Sequence, residues 1–223
     1  MSNKSDPGRG IVIGPGFRSI GPTGFQADTR DVPALIRRCL LYWDKIEWPD
    51  NNLVSLGNGP DGDFLQSAGI LHRTRVNFIG SFSGDLSPVF AQGQVKVFEQ
   101  LERAEPGVWT LAQESDRLRF PGQSIAERRT LEVQLYDLLP VPAETVAFAD
   151  ILEFRQHYAS ELLALRAVLE RMYVEVLASP DPERMRLLVS EQLAVALRDV
   201  DRGYARPANH SVACFGVGSV EAH

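Results

Sequence analysis

Two cysteines in 223 residues, Cys39 and Cys214, are too few and too far apart for a disulfide framework, although a bridge between them stays open. Cys39 sits in an apolar run and reads as a small buried hydrophobe. The four histidines (His72, His157, His210 and His223) are scattered, with no Cys-x-x-Cys and no His-x-x-x-His, so no zinc pattern exists. No G-x-S-x-G elbow, no G-K-[ST] and no legible Ser/His/Asp grouping is present. These gaps remove the common signatures of hydrolases and nucleotide triphosphatases, and the reading assigns no catalytic residue, no metal and no cofactor. No run approaches the roughly 18 apolar residues of a membrane span. The amino terminus, "MSNKSDPGRG", lacks the apolar stretch of a signal peptide. The expected compartment is therefore the cytoplasm.

What is present is an ordinary globular balance. Hydrophobic residues make up 44% and charged residues 23%, enough to build a substantial core. The net charge of −6 argues against a broad nucleic-acid surface, which needs a basic face. Arg117, Arg119, Arg128 and Arg129 cluster in sequence, but Glu114, Asp116, Glu127 and Glu132 interleave with them and make a mixed-charge surface.

The first two-thirds of the chain alternate between strand and helix signals. "IVI" (residues 11–13) is a short buried strand stopped by Gly14-Pro15. Asp31 and Pro33 open a helix that places Leu35, Ile36, Cys39, Leu40 and Trp43 on one face, with Arg37 and Arg38 toward the other. "DKIEWP" is a second strand in which Ile46 and Trp48 alternate with Lys45 and Glu47. Strand, helix, strand in this order predicts a parallel pair. Asp44 precedes its strand, away from the carboxyl end where ligands gather, and is assigned to helix termination and a local ion pair. A polar surface loop follows to about residue 63, then a short helix interrupted by Gly69. "RVNFIG" predicts a strand with Val76, Phe78 and Ile79 inward. Ser87 caps a helix running to Ala104, weakened by Gly93. "GVWTLAQ" and "RLRF" are strand candidates, and "TLEVQLYDLLPVP" is the clearest strand pattern. Trp43, Trp48 and Trp109 are expected to fill core or interface space.

After Pro142 the pattern becomes helical. Asp150 and Glu153 suggest a cap, and Ile151, Phe154, Tyr158, Leu162, Leu165, Leu169, Met172 and Val176 step by three or four along one continuous seam. Glu153, His157 and Glu161 share a stripe that reads as a solvated face, not a metal site. Asp181 and Pro182 open a second helix with Met185, Leu188, Val189 and Leu193 on one side, ended by Gly203. The short link predicts an antiparallel hairpin.

Residues 8–25, "GRGIVIGPGFRSIGPTGF", hold six glycines and two prolines. A phosphate cradle needs glycine N–H groups directly ahead of a helix. Here the glycines miss G-x-G-x-x-G, the prolines remove donors, and the next helix starts many residues later, so a structured turn is favoured. The candidate ligand residues, should the stretch bind a phosphorylated molecule, are Gly14, Gly16, Arg18 and Gly21.

"LLYWDKIEWP", with "LPVP" leading into "ILEFRQHYASELLALR", resembles a family of uncharacterised bacterial proteins. The resemblance implies an N-terminal α/β region followed by a helical segment, and carries no activity, cofactor or site residue. Members often continue with a small-residue apolar segment, of which "SVACFGVGSVEAH" reads as a shortened version.

The expected architecture is α/β: a partly parallel mixed sheet with flanking helices over residues 8–142, an antiparallel helical hairpin over 150–203 and a small-residue tail over 204–223. The leading functional expectation is a protein–protein interaction or self-assembling module, with a protein partner or homo-oligomer meeting Phe154, Tyr158, Leu162, Leu165, Leu169 and Met172. The alternative is an enzyme or sensor for a phosphorylated small molecule at residues 14–24.

Overall fold

The computed structural model describes residues 8–112, apart from 15, 21–23, 29–31, 55–56, 58 and 85, and residues 139–195, apart from 182–183, 186 and 190. The chain forms two compact units, Met1–Thr130 and Leu131–His223.

The first unit is built on a parallel sheet. Strand β1 (Gly10–Val12) is central. An antiparallel hairpin, β2 (Gly16–Ser19) and β3 (Phe25–Asp28), follows it, then helix α1 (Val32–Tyr42) and strand β4 (Lys45–Glu47). Next come β5 (Asp50–Asn51), α2 (Gly59–Ser67), β6 (Leu71–His72), β7 (Arg75–Val76), α3 (Ser87–Ala104) and β8 (Trp109–Leu111). The four-stranded order is β6-β4-β1-β8, all parallel, with Ile11 opposite Ile46 and Thr110, and Ile46 opposite Leu71. The chain thus steps outward from β1 through β4 to β6, then returns across to β8 on the far side of β1. Ile11, Ile13, Leu40, Trp43, Ile46, Leu65, Leu71 and Leu111 are fully buried between sheet and helices.

The predicted α1 face is inward, with Leu35, Ile36, Cys39, Leu40 and Trp43 all buried. Arg37, expected on the outer face, is also buried; its long aliphatic stem lets a cationic residue be covered. Trp48 and Trp109 are core residues like Trp43. Helix α2 begins inside the stretch taken as loop. Gly59-Pro60-Asp61 reads as a turn, but proline fits a first helical turn and Leu65 supplies the buried anchor. Gly69, at φ +71°, ends it, where a side chain would be strained. Leu86, not Ser87, is the cap of α3, and no side-chain hydrogen bond is made there. The "RVNFIG" strand is only Arg75–Val76, and Ile79 is 94% exposed. β8 pairs with β1; "RLRF", "TLEVQLYD" and the four clustered arginines lie outside the described residues.

The amino ends of the strands are locked by side chains. Asp44 accepts a hydrogen bond from the Arg9 N–H at 2.9 Å. Lys45 pairs with Glu105 at 2.8 Å, and the Trp109 indole donates to the same Glu105 carboxylate at 2.9 Å. Both bonds hold the Glu105 carboxyl below its ordinary range, Lys45 first. The Trp109 ring lies flat against Gly10, where any β-carbon would fall inside contact distance of the ring.

In the second unit the long seam is divided. Helix α4 (Phe148–His157) ends at Tyr158, and α5 (Ala159–Ala178) begins beyond it. The Tyr158 ring is packed by Phe154 and His157, with centroids 4.6 and 4.7 Å away. Asp150 lies in the first turn of α4; the cap is Ala147. A turn at 179–181 leads into helical residues within 184–195. Here the expected cap is present: the Arg184 N–H donates to Asp181 Oδ1 at 3.1 Å. Tyr173 and Val176 of α5 pack against Val189, with Met172 and Met185 alongside, which closes the hairpin. Leu188, expected inward, is exposed. The tail 204–223 and the hairpin beyond residue 195 lie outside the described residues.

Replacing Gly10 with alanine overpacks a rigid, buried indole. A loss of about 1–3 kcal/mol is expected, read as a lower urea midpoint at unchanged m-value.

Candidate functional site

The carboxyl ends of the strands are built differently from the locked amino ends. β4 and β6 do not simply stop. Glu47 is opposite His72, and after a two-residue gap Asp50 is opposite Arg75 and Asn51 opposite Val76, so the pairing resumes in the same register. Backbone bonds bridge the gap, from Trp48 N–H to the His72 carbonyl (2.9 Å) and from Asp50 N–H to the Thr74 carbonyl (3.0 Å). Pro49 shares the parity of Glu47, whose carbonyl accepts from Ile13 of the β1 side. Its missing N–H therefore faces the side where β1 has already ended.

A regular parallel ladder would continue with Thr74 N–H donating to the Trp48 carbonyl. It donates instead to the Glu47 carboxylate at 2.6 Å, and the Thr74 hydroxyl bonds the second oxygen at 3.0 Å. A side chain has taken the place of a backbone acceptor. Glu47 is only 2% exposed. Burial raises its pKa above the ordinary glutamate value, opposed by the two Thr74 hydrogen bonds and by His72 and Arg73. The expected outward position of Glu47 in an alternating strand is thus corrected. Both faces of a parallel sheet are covered, so the alternate residue is buried too.

The loop held in this way presents Arg73. Its guanidinium stacks over the Trp48 ring at 4.7 Å and pairs with Asp50 at 3.6 Å. Burial pulls its pKa down while Asp50 and Glu47 push it back up; an arginine remains a cation throughout. Arg73, Trp48 and Asp50 form one wall of a shallow cleft open to solvent. The facing wall comes from Phe78 and from Phe90, Gly93 and Gln94 of α3. Asn52 fixes the Phe78 segment, its carboxamide bonding both the N–H (2.8 Å) and the carbonyl (3.0 Å) of Phe78. The cleft lies at strand carboxyl ends, beside the reversal of strand order at β1, where open α/β sheets bind ligands.

The structure separates the four glycine-stretch candidates. Gly14 is buried at the carboxyl end of β1, beneath the Gln94 side chain. Gly16 and Arg18 belong to β2, and Gly21 lies outside the described residues. No helix follows them directly. Of the six seam residues, Leu169 is buried, Phe154, Leu162, Leu165 and Met172 are half-buried, and Tyr158 is exposed. Glu153, His157 and Glu161 are all exposed, with the helix break between the last two. Among the described residues no group of three His, Cys, Asp or Glu side chains could hold a metal, and no helix is long and apolar enough to cross a membrane. Sequence reasoning missed Glu47, Arg73 and Gln94. The available signal was "HRTR" after a strand, paired with "EWPD" after another.

Residues 3–207 match the DUF6236 family, a family of unknown function. The chain belongs to the DUF6236 family. No curated protein and no solved structure matches it. The match spans both units, so the cleft and the helices belong to one family architecture.

The raised Glu47 pKa fixes the sign of a pH effect. The folded chain holds this proton more tightly than the unfolded chain, so the contribution is present at acid pH and is lost as pH rises through the raised value. Glu47→Gln keeps an acceptor for the Thr74 N–H. The wild type is therefore expected to lose stability relative to Glu47→Gln as pH climbs from about 4 toward neutrality. Parallel denaturant titrations of the two proteins across that range measure it.

Proposed function

We propose that the protein binds a small anionic molecule, phosphorylated or carboxylated, in the cleft at the carboxyl ends of β4 and β6. The observation that carries this reading is Arg73, a largely buried cation held over Trp48 by a loop that Glu47 anchors. The ligand class is the one the glycine-rich stretch raised, with the cation moved from Arg18 to Arg73.

Thermal-shift titration with inorganic phosphate, pyrophosphate and phosphorylated sugars tests it. A ligand at about 100 times its Kd stabilises by about 2.7 kcal/mol, a rise of several degrees. Arg73→Ala is expected to weaken anion binding about tenfold or more, the worth of one charged hydrogen bond. An Arg73→Ala protein that binds every anion as the wild type does overturns the reading.

A second reading, protein–protein interaction or self-association through the helical unit, is favoured by a separate observation. On α5, Leu163 (56% exposed), Ala164, Ala167 and Val168 form one exposed apolar cluster, and Val174 (59% exposed) and Ala178 a second, with the exposed Arg171 between them. These clusters are distinct from the seam of Leu162, Leu165 and Leu169, which is more covered. Apolar clusters of this kind mark contact surfaces. A second copy of the chain is the expected occupant. Light scattering after size exclusion should show a dimer that Leu163→Glu with Val174→Glu converts to monomer.

A further inference from the structure

One face of helix α5 is left in water although it carries large apolar side chains, Leu163, Val168 and Val174. Its midline is a row of exposed positions: Ser160, Ala164, Ala167, Arg171, Val174 and Ala178. The spacings along that row alternate between four and three residues, the repeat of a coiled-coil seam. The row lies opposite the covered side of Leu165, Leu169 and Val176. Read from either end, the spacings come in the same order. Leu163 borders the row on one side and Val168 on the other. One charge interrupts it. The Arg171 Nε–H donates to the Ala167 carbonyl at 3.4 Å, so the arginine stem lies along the row. Glu170, the preceding residue, sits half-buried at the margin on the Leu163 side.

We propose that two copies of the chain pair antiparallel along this face of α5, each Arg171 lying against the partner's Ala167 and bonding the partner's Glu170. This rests on the self-association reading above and adds the direction and register of the contact. Charge decides the direction. A parallel pair in register would set the two Arg171 side chains against each other in the middle of an apolar contact, where like charges are costly. The antiparallel pair sets Ala164 opposite the partner's Val174 and Arg171 opposite the partner's Ala167. A methyl group there leaves room for the long arginine stem. The guanidinium then reaches the partner's Glu170, and the bond is made twice about the two-fold axis, as a self-complementary contact requires. Leu163 and Val168 are drawn in from the two sides. Glu161 and Glu175 are exposed at the rim, where salt and water screen them.

Cysteine cross-linking on the full chain reads the direction. Cys214→Ser gives the background, in which Cys39 is buried. Ala164→Cys and Val174→Cys are added to it in separate proteins. Antiparallel pairing sets residue 164 of one copy about 15 Å along the axis from residue 164 of the other, well beyond the roughly 7 Å reach of a disulfide. The expected result is no cross-link in either protein alone and a cross-linked heterodimer when the two are mixed, allowed to exchange and oxidised. Arg171→Glu is expected to raise the dimer Kd tenfold or more in sedimentation equilibrium, and Glu170→Arg with Arg171→Glu to restore it. Circular dichroism confirms that each variant keeps its helices. A dimer in which each single-cysteine protein cross-links to itself and the mixture adds nothing overturns the antiparallel arrangement but leaves self-association standing. So does a dimer whose Kd is indifferent to Arg171→Glu, or is not restored by the double replacement. A wild-type chain that stays monomeric at every concentration overturns both this inference and the self-association reading.

Discussion

One buried carboxylate standing in for a backbone carbonyl organises the functional end of the first unit. Where β4 and β6 pass their formal ends, the regular acceptor for Thr74 is replaced by Glu47. Such a substitution places a charge inside the protein, at a cost that only multiple hydrogen bonds and nearby cations offset. The constant register sets Arg73 opposite Trp48, where its guanidinium lies over the indole and pairs with Asp50.

The two ends of the sheet divide their tasks. At the amino end, Lys45, Glu105, Trp109, Asp44 and the Arg9 backbone are joined by short bonds, and an indole fills the space that Gly10 leaves. At the carboxyl end, polar and aromatic side chains line an open space. The carboxyl end of the strands is the end at which α/β sheets present ligands.

Much of the architecture was legible because it rests on local patterns. "IVI", "KIEW" and "ALIRRCLLY" form the strands and the helix expected of them, although burial does not alternate along them, and Asp181 marks a real helix start. What was not legible depends on long-range partners. The burial of Glu47 needs Thr74, 27 residues away, and the importance of Gly14 needs Gln94. The unbroken periodicity from Ile151 to Val176 carries no sign of the break at Tyr158, because an apolar residue at the right spacing satisfies a bent path as well as a straight one. The turn-rich "GPDG" concealed α2, since the same proline suits a turn and a first helical turn.

The constant register of segments 46–51 and 71–76 has an evolutionary corollary. Gain or loss of one residue inside either segment would invert every side chain beyond it and dismantle the rim. The intervening stretch is under no such restriction. Relatives are free to lengthen or trim the connection around α2 while the Glu47–Thr74 clasp, and the recess it shapes, stays insulated from the change.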